Sequence, residues 1–292
     1  MDDGALHAAL EGLALRIASA AGRLLLDRPE SLTLTAKSSP TDIVTQMDRA
    51  AEELLVSMIL SERPDDGVLG EEGGERAGTS RVRWVLDPLD GTTNYVYRIP
   101  FWAVSVAAEL DGEVVVGVVE APELGRTYSA RRGAGAWVSQ RVAADPPGEL
   151  TESPGPPTSL AVSGLEDLSQ ALVSTGFGYA PDRRRRQAED LRLIAPRVRD
   201  IRRLGAASLD LAWVGAGHSD AYFESGLKPW DLAAGTLIAR EAGAVVMGRR
   251  GGVPDESLVV AATPGIATEV SAIIDAAMGL PEAVPPLLSP GA

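Results

Sequence analysis

Three acidic segments, each set where an apolar run ends, constrain this chain more than any other feature. They are Glu71-Glu72, the run Asp87-Pro88-Leu89-Asp90-Gly91-Thr92-Thr93, and Pro229-Trp230-Asp231. Carboxylates in such places are costly: two of them about 4 Å apart repel by roughly 4 kcal/mol at an effective dielectric near 20. A fold that gathers the three segments therefore needs a compensating charge. A divalent cation, or a pair of them, is the natural candidate.

Composition narrows which cation. The chain has no cysteine and only two histidines, His7 and His218. Disulfides, thiolate catalysis and cysteine-zinc sites are excluded, and a histidine-rich metal site is disfavoured. Hard oxygen ligands remain, which suit magnesium, manganese or calcium. The net charge of −14, from 27 basic and 41 acidic residues, disfavours nonspecific binding to nucleic acid or a membrane surface. It would also repel an anionic substrate unless bound metal reverses the local field. The opening Met1-Asp2-Asp3 lacks the basic region of a signal peptide, and Glu11, Arg16 and Arg23 interrupt the apolar stretch that follows. No membrane span is expected, and the cytoplasm is the expected location.

Along the chain, apolar residues at helical spacing predict helices over 4–27 and from Met47 to Ile59, with Asp48 in the first turn of the second. A short strand is expected around Leu32 and Leu34, and another at Val68-Leu69-Gly70. Val82 to Leu86 reads as a strand ending at Asp87, where Pro88 stops it. Phe101 to Leu110 and Glu113 to Ala121 read as a hairpin turned by Asp111-Gly112, and Tyr128 to Val138 as its continuation. Residues 141–158 hold five prolines and read as a linker between an N-terminal α+β half, 1–140, and a C-terminal half, 159–280. The second half alternates: strands near 171–174, 200–204, 220–223 and 244–247, and helices near 184–199, 206–216 and 231–242. That alternation reads as α/β. A strand over Leu258 to Ala261 and a helix after Thr263 close the fold, and the proline-rich tail, 281–292, is expected to be disordered.

The run from Asp87 to Thr93 is the most specific of the acidic segments. Two carboxylates on a turn that Gly91 makes possible can share one cation or bridge two. If a short helix starts near Thr92, the free amides of Gly91 and Thr92 would cradle an anion beside the metal. Taken alone, Glu71-Glu72 also reads as a solvated loop, and Asp231 as a helix cap.

The set, in this order, resembles the inositol monophosphatase family of magnesium-dependent sugar phosphatases. The matching segments are Lys37 to Asp48, Gly70 to Gly73, Trp84 to Tyr95, and Gly205 to Ala244, and the likeness runs from about residue 10 to 265. The resemblance implies a layered αβαβα sandwich, usually a homodimer, that hydrolyses a small phosphate monoester with two or three Mg²⁺ per site. It implies that Glu71, Asp87 and the Leu89 carbonyl hold one metal, and that Asp87, Asp90 and Asp231 hold another. It also implies a looser third site at Glu71. Thr92, hydrogen-bonded to Asp48, would orient the attacking water. The amides of Gly91 and Thr92 would grip phosphate, with Lys37 nearby. Glu224 and the Gly205-Ala206-Ala207 turn would face the polyol, and Asp90 would contact a hydroxyl.

The physical reading agrees with this chemistry. Phosphate monoester hydrolysis is extremely slow uncatalysed, so neutralising charge must supply much of the acceleration. Within the resemblance, Thr93-Asn94-Tyr95 after Asp90-Gly91-Thr92 is similar to the inositol branch of the family, which implies inositol 1-phosphate as substrate. Histidinol phosphate, a 3′-phosphoadenosine nucleotide, fructose 1,6-bisphosphate and an aminocyclitol phosphate are the alternatives, and a non-catalytic binding protein is the alternative of another class. Ala206 carries no hydroxyl where relatives often have one. The run Arg183 to Arg186 leaves two readings open, a solvated helix start or a contribution to anion recognition, and Arg202 and Arg203 offer the second as well.

Overall fold

The computed structural model describes residues 3–37, 42–143 and 150–279. The first half runs α1 (Asp3–Leu26), β1 (Leu34–Ala36), β2 (Ile43–Thr45), α2 (Gln46–Glu62), β3 (Gly67–Gly70), β4 (Gly74–Arg76), β5 (Val82–Asp90), α3 (Thr92–Val96), β6 (Ala103–Leu110), β7 (Glu113–Ala121), β8 (Arg126–Arg131), β9 (Gly135–Ala143), β10 (Leu150–Pro154) and β11 (Thr158–Ser159). The second runs β12 (Leu172–Thr175), α4 (Pro181–Ile194), β13 (Asp200–Arg202), α5 (Ala207–Gly215), β14 (Ala221–Glu224), α6 (Pro229–Glu241), β15 (Val245–Met247), β16 (Val259–Ala262) and α7 (Ala267–Ala277). No helix among the described residues is long and apolar enough to cross a membrane.

Local chemistry fixes several boundaries. Thr45 caps α2: its Oγ1 accepts from Met47 N–H at 3.0 Å, while Asp48 Oδ2 accepts from Thr45 N–H at 2.9 Å. Asp111 and Gly112 both take positive φ, 53° and 83°, as a two-residue hairpin turn requires. Two expectations need correction. Pro88 does not end β5. It has no N–H to donate, so the ladder with β6 slips between Asp87 and Asp90 and resumes at Asp90 opposite Ala103. The stretch from Tyr128 to Val138 continues the sheet as expected, and does so as the hairpin of β8 and β9. α4 covers Pro181–Ile194 rather than 184–199: Pro181 suits a first-turn position, and Pro196, which has no N–H to donate, lies in a 3-10 turn over Ala195–Arg197 that follows the α-helix.

A nine-stranded sheet in the order β10-β9-β8-β7-β6-β5-β3-β4, with β11 also on β9, is antiparallel except for the parallel pair β3 and β5. A five-stranded mixed sheet runs β13-β12-β14-β16-β15. Strand alternation assigns their faces. On the large sheet, Trp84, Leu86, Val104 and Val106 pack with Leu10, Ile17 and Leu55 of α1 and α2. Val85, Ala103 and Ala107 turn the other way, against Leu209 of α5 and Ala234 of α6. On the small sheet, Tyr222, Val259 and Ala261 pack on α5 and α6, while Val260 and Ala262 pack on α7. The result is an αβαβα sandwich, and its middle helix layer is buried on both sides.

That middle layer depends on small residues. A Cβ on Gly117 of β7 would stand 2.7 Å from the Ala234 carbonyl, so α6 lies almost on the backbone of the large sheet. The same contact joins the two halves of the chain in one core. Residues 141–158 do not form a free linker where they are described, since β9 runs to Ala143 and both β10 and β11 pair with it. The middle of that segment, and the tail from 281, lie outside the described residues.

Candidate active site

Sheet geometry brings the acidic segments together. Val85 faces α5 and α6, so Asp87, two residues on, faces the same layer. β3 runs parallel to β5, and Glu71 N–H donates to the Leu86 carbonyl at 3.2 Å, which seats Glu71 beside Asp87. The bulge after Asp87 aims Asp90 at the start of α5. There its carboxylate accepts from Ala207 N–H at 3.2 Å and from Ser208 N–H and Oγ at 2.7 and 2.6 Å. Gly91 takes φ 93°, and a Cβ on it would meet the Gly205 and Phe101 carbonyls at 3.2 Å. α3 then starts at Thr92, as the sequence suggested, and its first-turn amides have no acceptor within the helix. Asp231 is the third residue of α6, which Pro229 opens, and it accepts from the Lys228 N–H at 2.6 Å. Ser105 Oγ, on β6, donates to the Trp230 carbonyl at 3.2 Å and ties that turn to the sheet.

Lys37, Glu71, Asp87, Leu89, Asp90, Gly91, Thr92, Gly205, Ala207, Glu224 and Asp231 line one open cleft of about 530 Å³. Two expected site residues do not line it. Asp48 stands behind Thr92, its Oδ1 2.9 Å from the threonine hydroxyl. Ala206 is 1% exposed and packs toward Gly91, so it does not face the cleft as expected; its neighbours Gly205 and Ala207 do. The missing hydroxyl at Ala206 is therefore no loss to the cleft surface, and Ser208 supplies one to Asp90 instead.

The electrostatics are those of carboxylates crowded out of water. Burial raises the Asp87 carboxyl well above its usual range, and the charges of Glu71, Asp90 and Asp231 raise it further. Burial and Asp90 do the same to Asp231. Asp90 is raised by burial and partly relieved by its bonds from Ser208 and Ala207. Burial raises Glu71, which Lys37 opposes; the lysine Nζ lies 2.8 Å from Glu71 Oε1 and also contacts Glu72. Burial alone would lower Lys37, but these two carboxylates outweigh it and hold the ammonium charged. Burial pushes Glu224 up to about 7, against the Tyr222 hydroxyl it accepts from at 2.6 Å.

Among the described residues, no three His, Cys, Asp or Glu side chains are drawn into a finished coordination cage. The donors nevertheless fit hard divalent cations: all are oxygens, they share one cleft, and among the described residues Lys37 is the one cation paired with Glu71. The mutual repulsion of Asp87, Asp90 and Asp231 is what such a cation would relieve.

One positioning residue escaped the sequence reading. Glu52, on α2 and 5% exposed, accepts from the backbone N–H of Glu72 at 2.8 Å and from that of Gly73. A Cβ on Gly70 or Gly73 would meet its carboxylate at 2.7 or 2.6 Å, so both glycines make room for it. Glu52 thereby fixes the turn that aims Glu71. Glu52→Gln, which keeps the volume but loses an acceptor, is expected to weaken magnesium binding about tenfold, the lower range for residues that orient metal ligands. Calorimetric titration of Mg²⁺ checks this, and an unchanged affinity would refute the positioning role.

A five-layer sandwich with a cleft walled by carboxylates is the architecture of a metal-dependent phosphatase. The chain belongs to the inositol monophosphatase family, whose model matches residues 8–277. It is similar to an inositol-1-monophosphatase of Mycobacterium leprae, 46% identical over 252 residues that span 84% of this chain and 82% of the relative. A Vibrio cholerae relative named Nus factor SuhB is 37% identical over 262 residues, 86% of this chain and 90% of its own. The solved structure of Mycobacterium tuberculosis SuhB superimposes with a TM-score of 0.76 at 40% identity, covering 94% of this chain and 98% of that one. The protein is thus a phosphoric monoester hydrolase by family.

Proposed function

We propose that this protein is a Mg²⁺-dependent phosphatase that hydrolyses inositol 1-phosphate to inositol and phosphate, working as a homodimer. The observation that carries the reading is the convergence of Glu71, Asp87, Asp90 and Asp231 on one cleft, with Thr92 backed by Asp48 at its edge. Glu71, Asp87 and the Leu89 carbonyl would hold one cation, and Asp87, Asp90 and Asp231 another. When bound, the cations supply Lewis-acid neutralisation of phosphate charge and acidify a water.

The chain's own groups do the rest. Thr92 donates its single proton to Asp48 Oδ1, which leaves its oxygen lone pairs to accept from the attacking water and set its orientation. Asp48 holds that polarity because Thr45 N–H and Oγ1 fix its other oxygen. The amides of Gly91 and Thr92 receive the phosphate oxygens, and Lys37 adds positive charge. Glu224, with Gly205 and Ala207, faces the polyol hydroxyls.

The Mycobacterium leprae relative's name supports inositol 1-phosphate as substrate. The Vibrio cholerae relative's name supports a second role, that of a Nus factor. The presence of every expected acidic ligand favours the phosphatase. The test is phosphate release from inositol 1-phosphate, histidinol phosphate, fructose 1,6-bisphosphate and an aminocyclitol phosphate, with Mg²⁺ and with chelator. Release from inositol 1-phosphate that requires Mg²⁺ is expected. Metal-dependent release from another ester only would overturn the substrate, and none from any would overturn the activity.

A further inference from the structure

Two arginines line the cleft, and neither has a role in the chemistry above. Arg183 stands in the first turn of α4, where a cation opposes the helix dipole. A residue that breaks a local rule in this way invites a functional explanation. Its side chain lies in a trough bordered by glycine on both sides. A Cβ on Gly178 would stand 2.3 Å from Arg183 Cδ, and one on Gly226 would stand 2.0 Å from its Nη1. Gln187, one turn along the same face of α4, braces the trough. Its Oε1 accepts from Gly178 N–H at 2.9 Å, and its Nε2 lies 3.3 Å from Ser225 Oγ. Arg203 repeats the arrangement: a Cβ on Gly205 would stand 2.3 Å from Arg203 Nη1. Three glycines thus clear space for two guanidinium groups at one cleft, and both arginines favour the charged form of Glu224.

Among the described residues neither arginine forms an ion pair within 4 Å. Guanidinium groups match phosphate and carboxylate in bidentate fashion. The scissile phosphate is already served by Lys37 and the amides of Gly91 and Thr92, so these cations are available to a different anion. We propose that Arg183 and Arg203 form a second anion-binding point, which extends the substrate range to polyol phosphates bearing a second phosphate or a carboxylate. This rests on the phosphatase reading of the same cleft.

The test compares inositol 1-phosphate with inositol 1,4-bisphosphate at saturating Mg²⁺, on the full chain and on Arg183→Gln and Arg203→Gln. The unaltered protein is expected to show a lower KM for the bisphosphate. Each variant should raise that KM about tenfold, the loss expected for a hydrogen bond between charged groups, and lower the ratio of the two kcat/KM values accordingly. Gln187→Leu, which loosens the trough without removing charge, should lower the ratio by less. A bisphosphate KM no lower than that of the monophosphate would overturn the proposal. So would equal losses on both substrates, since the arginines would then serve only to offset the carboxylates. Release from neither ester by folded protein is a separate result, which sinks the phosphatase reading and this proposal with it.

Discussion

Asp87→Asn is expected to lower phosphatase turnover by roughly a thousandfold and at the same time to raise the melting temperature of the metal-free protein. The loss follows from position. Asp87 is 2% exposed, faces the cleft, and is the one carboxylate expected to touch both cations. Removing one preorganised electrostatic contact to a developing charge costs about 10²–10³ in rate, and Asp87 would serve two such contacts. The gain in stability follows from the same crowding. Without a cation, the anionic form of Asp87 is opposed first by burial and then by Glu71, Asp90 and Asp231. Asparagine removes the charge, keeps the volume, and its oxygen can still accept from the Leu89 N–H, now 3.0 Å from Asp87 Oδ1. Relief of about 1–2 kcal/mol corresponds to a few degrees in a chain of this size. Asp90→Asn is a poorer probe, because Asp90 also anchors Ala207 and Ser208 at the head of α5. Thermal unfolding in chelator, paired with phosphate-release kinetics, checks both parts. A lower melting temperature for Asp87→Asn would mean that the carboxylate is structural and that the site is not poised for metal.

The parts of the site that could be read from sequence are those whose neighbours lie close in the chain. Asp87, Asp90, Gly91 and Thr92 occupy one strand end and one turn, so apolar run, proline and glycine are enough to expose them. The helices and strands of the second half follow their periodicity for the same reason, with α4 the exception. Glu52 was illegible because its meaning lies 20 residues away, at the amides of Glu72 and Gly73. On its own helix it is one more acidic residue beside the apolar stripe. The burial of Ala206 depends on how closely the Gly205 turn approaches Gly91, a contact between halves of the chain that no local pattern encodes. The proline-rich stretch before Thr158 misled for a related reason: composition marks a turn-rich segment, while the strands that flank it are set by their pairing with β9.

The metal-free protein should also lose stability as pH rises from 6.5 to 8, and Mg²⁺ should raise its melting temperature more at pH 8 than at pH 6.5. Asp87, Asp231 and Asp210 are held well above the usual carboxylate range, chiefly by burial, and Glu224 is held at about 7. A carboxyl whose proton affinity is higher in the folded chain stabilises it fully below the unfolded value. That contribution is lost as pH rises through the folded value, because the unfolded chain has already released the proton. For Glu224 the window runs from 4.5 to about 7, and the other three, raised in the same direction, act with the same sign. Each proton that the native state alone retains contributes about 1.4 kcal/mol per pH unit. Groups of the opposite sign do not cancel this. Asp111, Asp200 and Asp255 are lowered mainly by hydrogen bonds, from Arg81, Arg202 and Ser257, and titrate below 3.8. His218, lowered by burial and by Arg126, acts only below 6.5. Mg²⁺ prefers ionised carboxylates, so its binding is linked to proton release and stabilises most where protonation competes least. Asp87→Asn should flatten the pH slope in chelator and reduce the shift produced by Mg²⁺. A metal-free melting temperature that stays level or climbs between pH 6.5 and 8 would mean that the carboxylates are already balanced by the protein itself, and the case for a cation in the cleft would lose its physical basis.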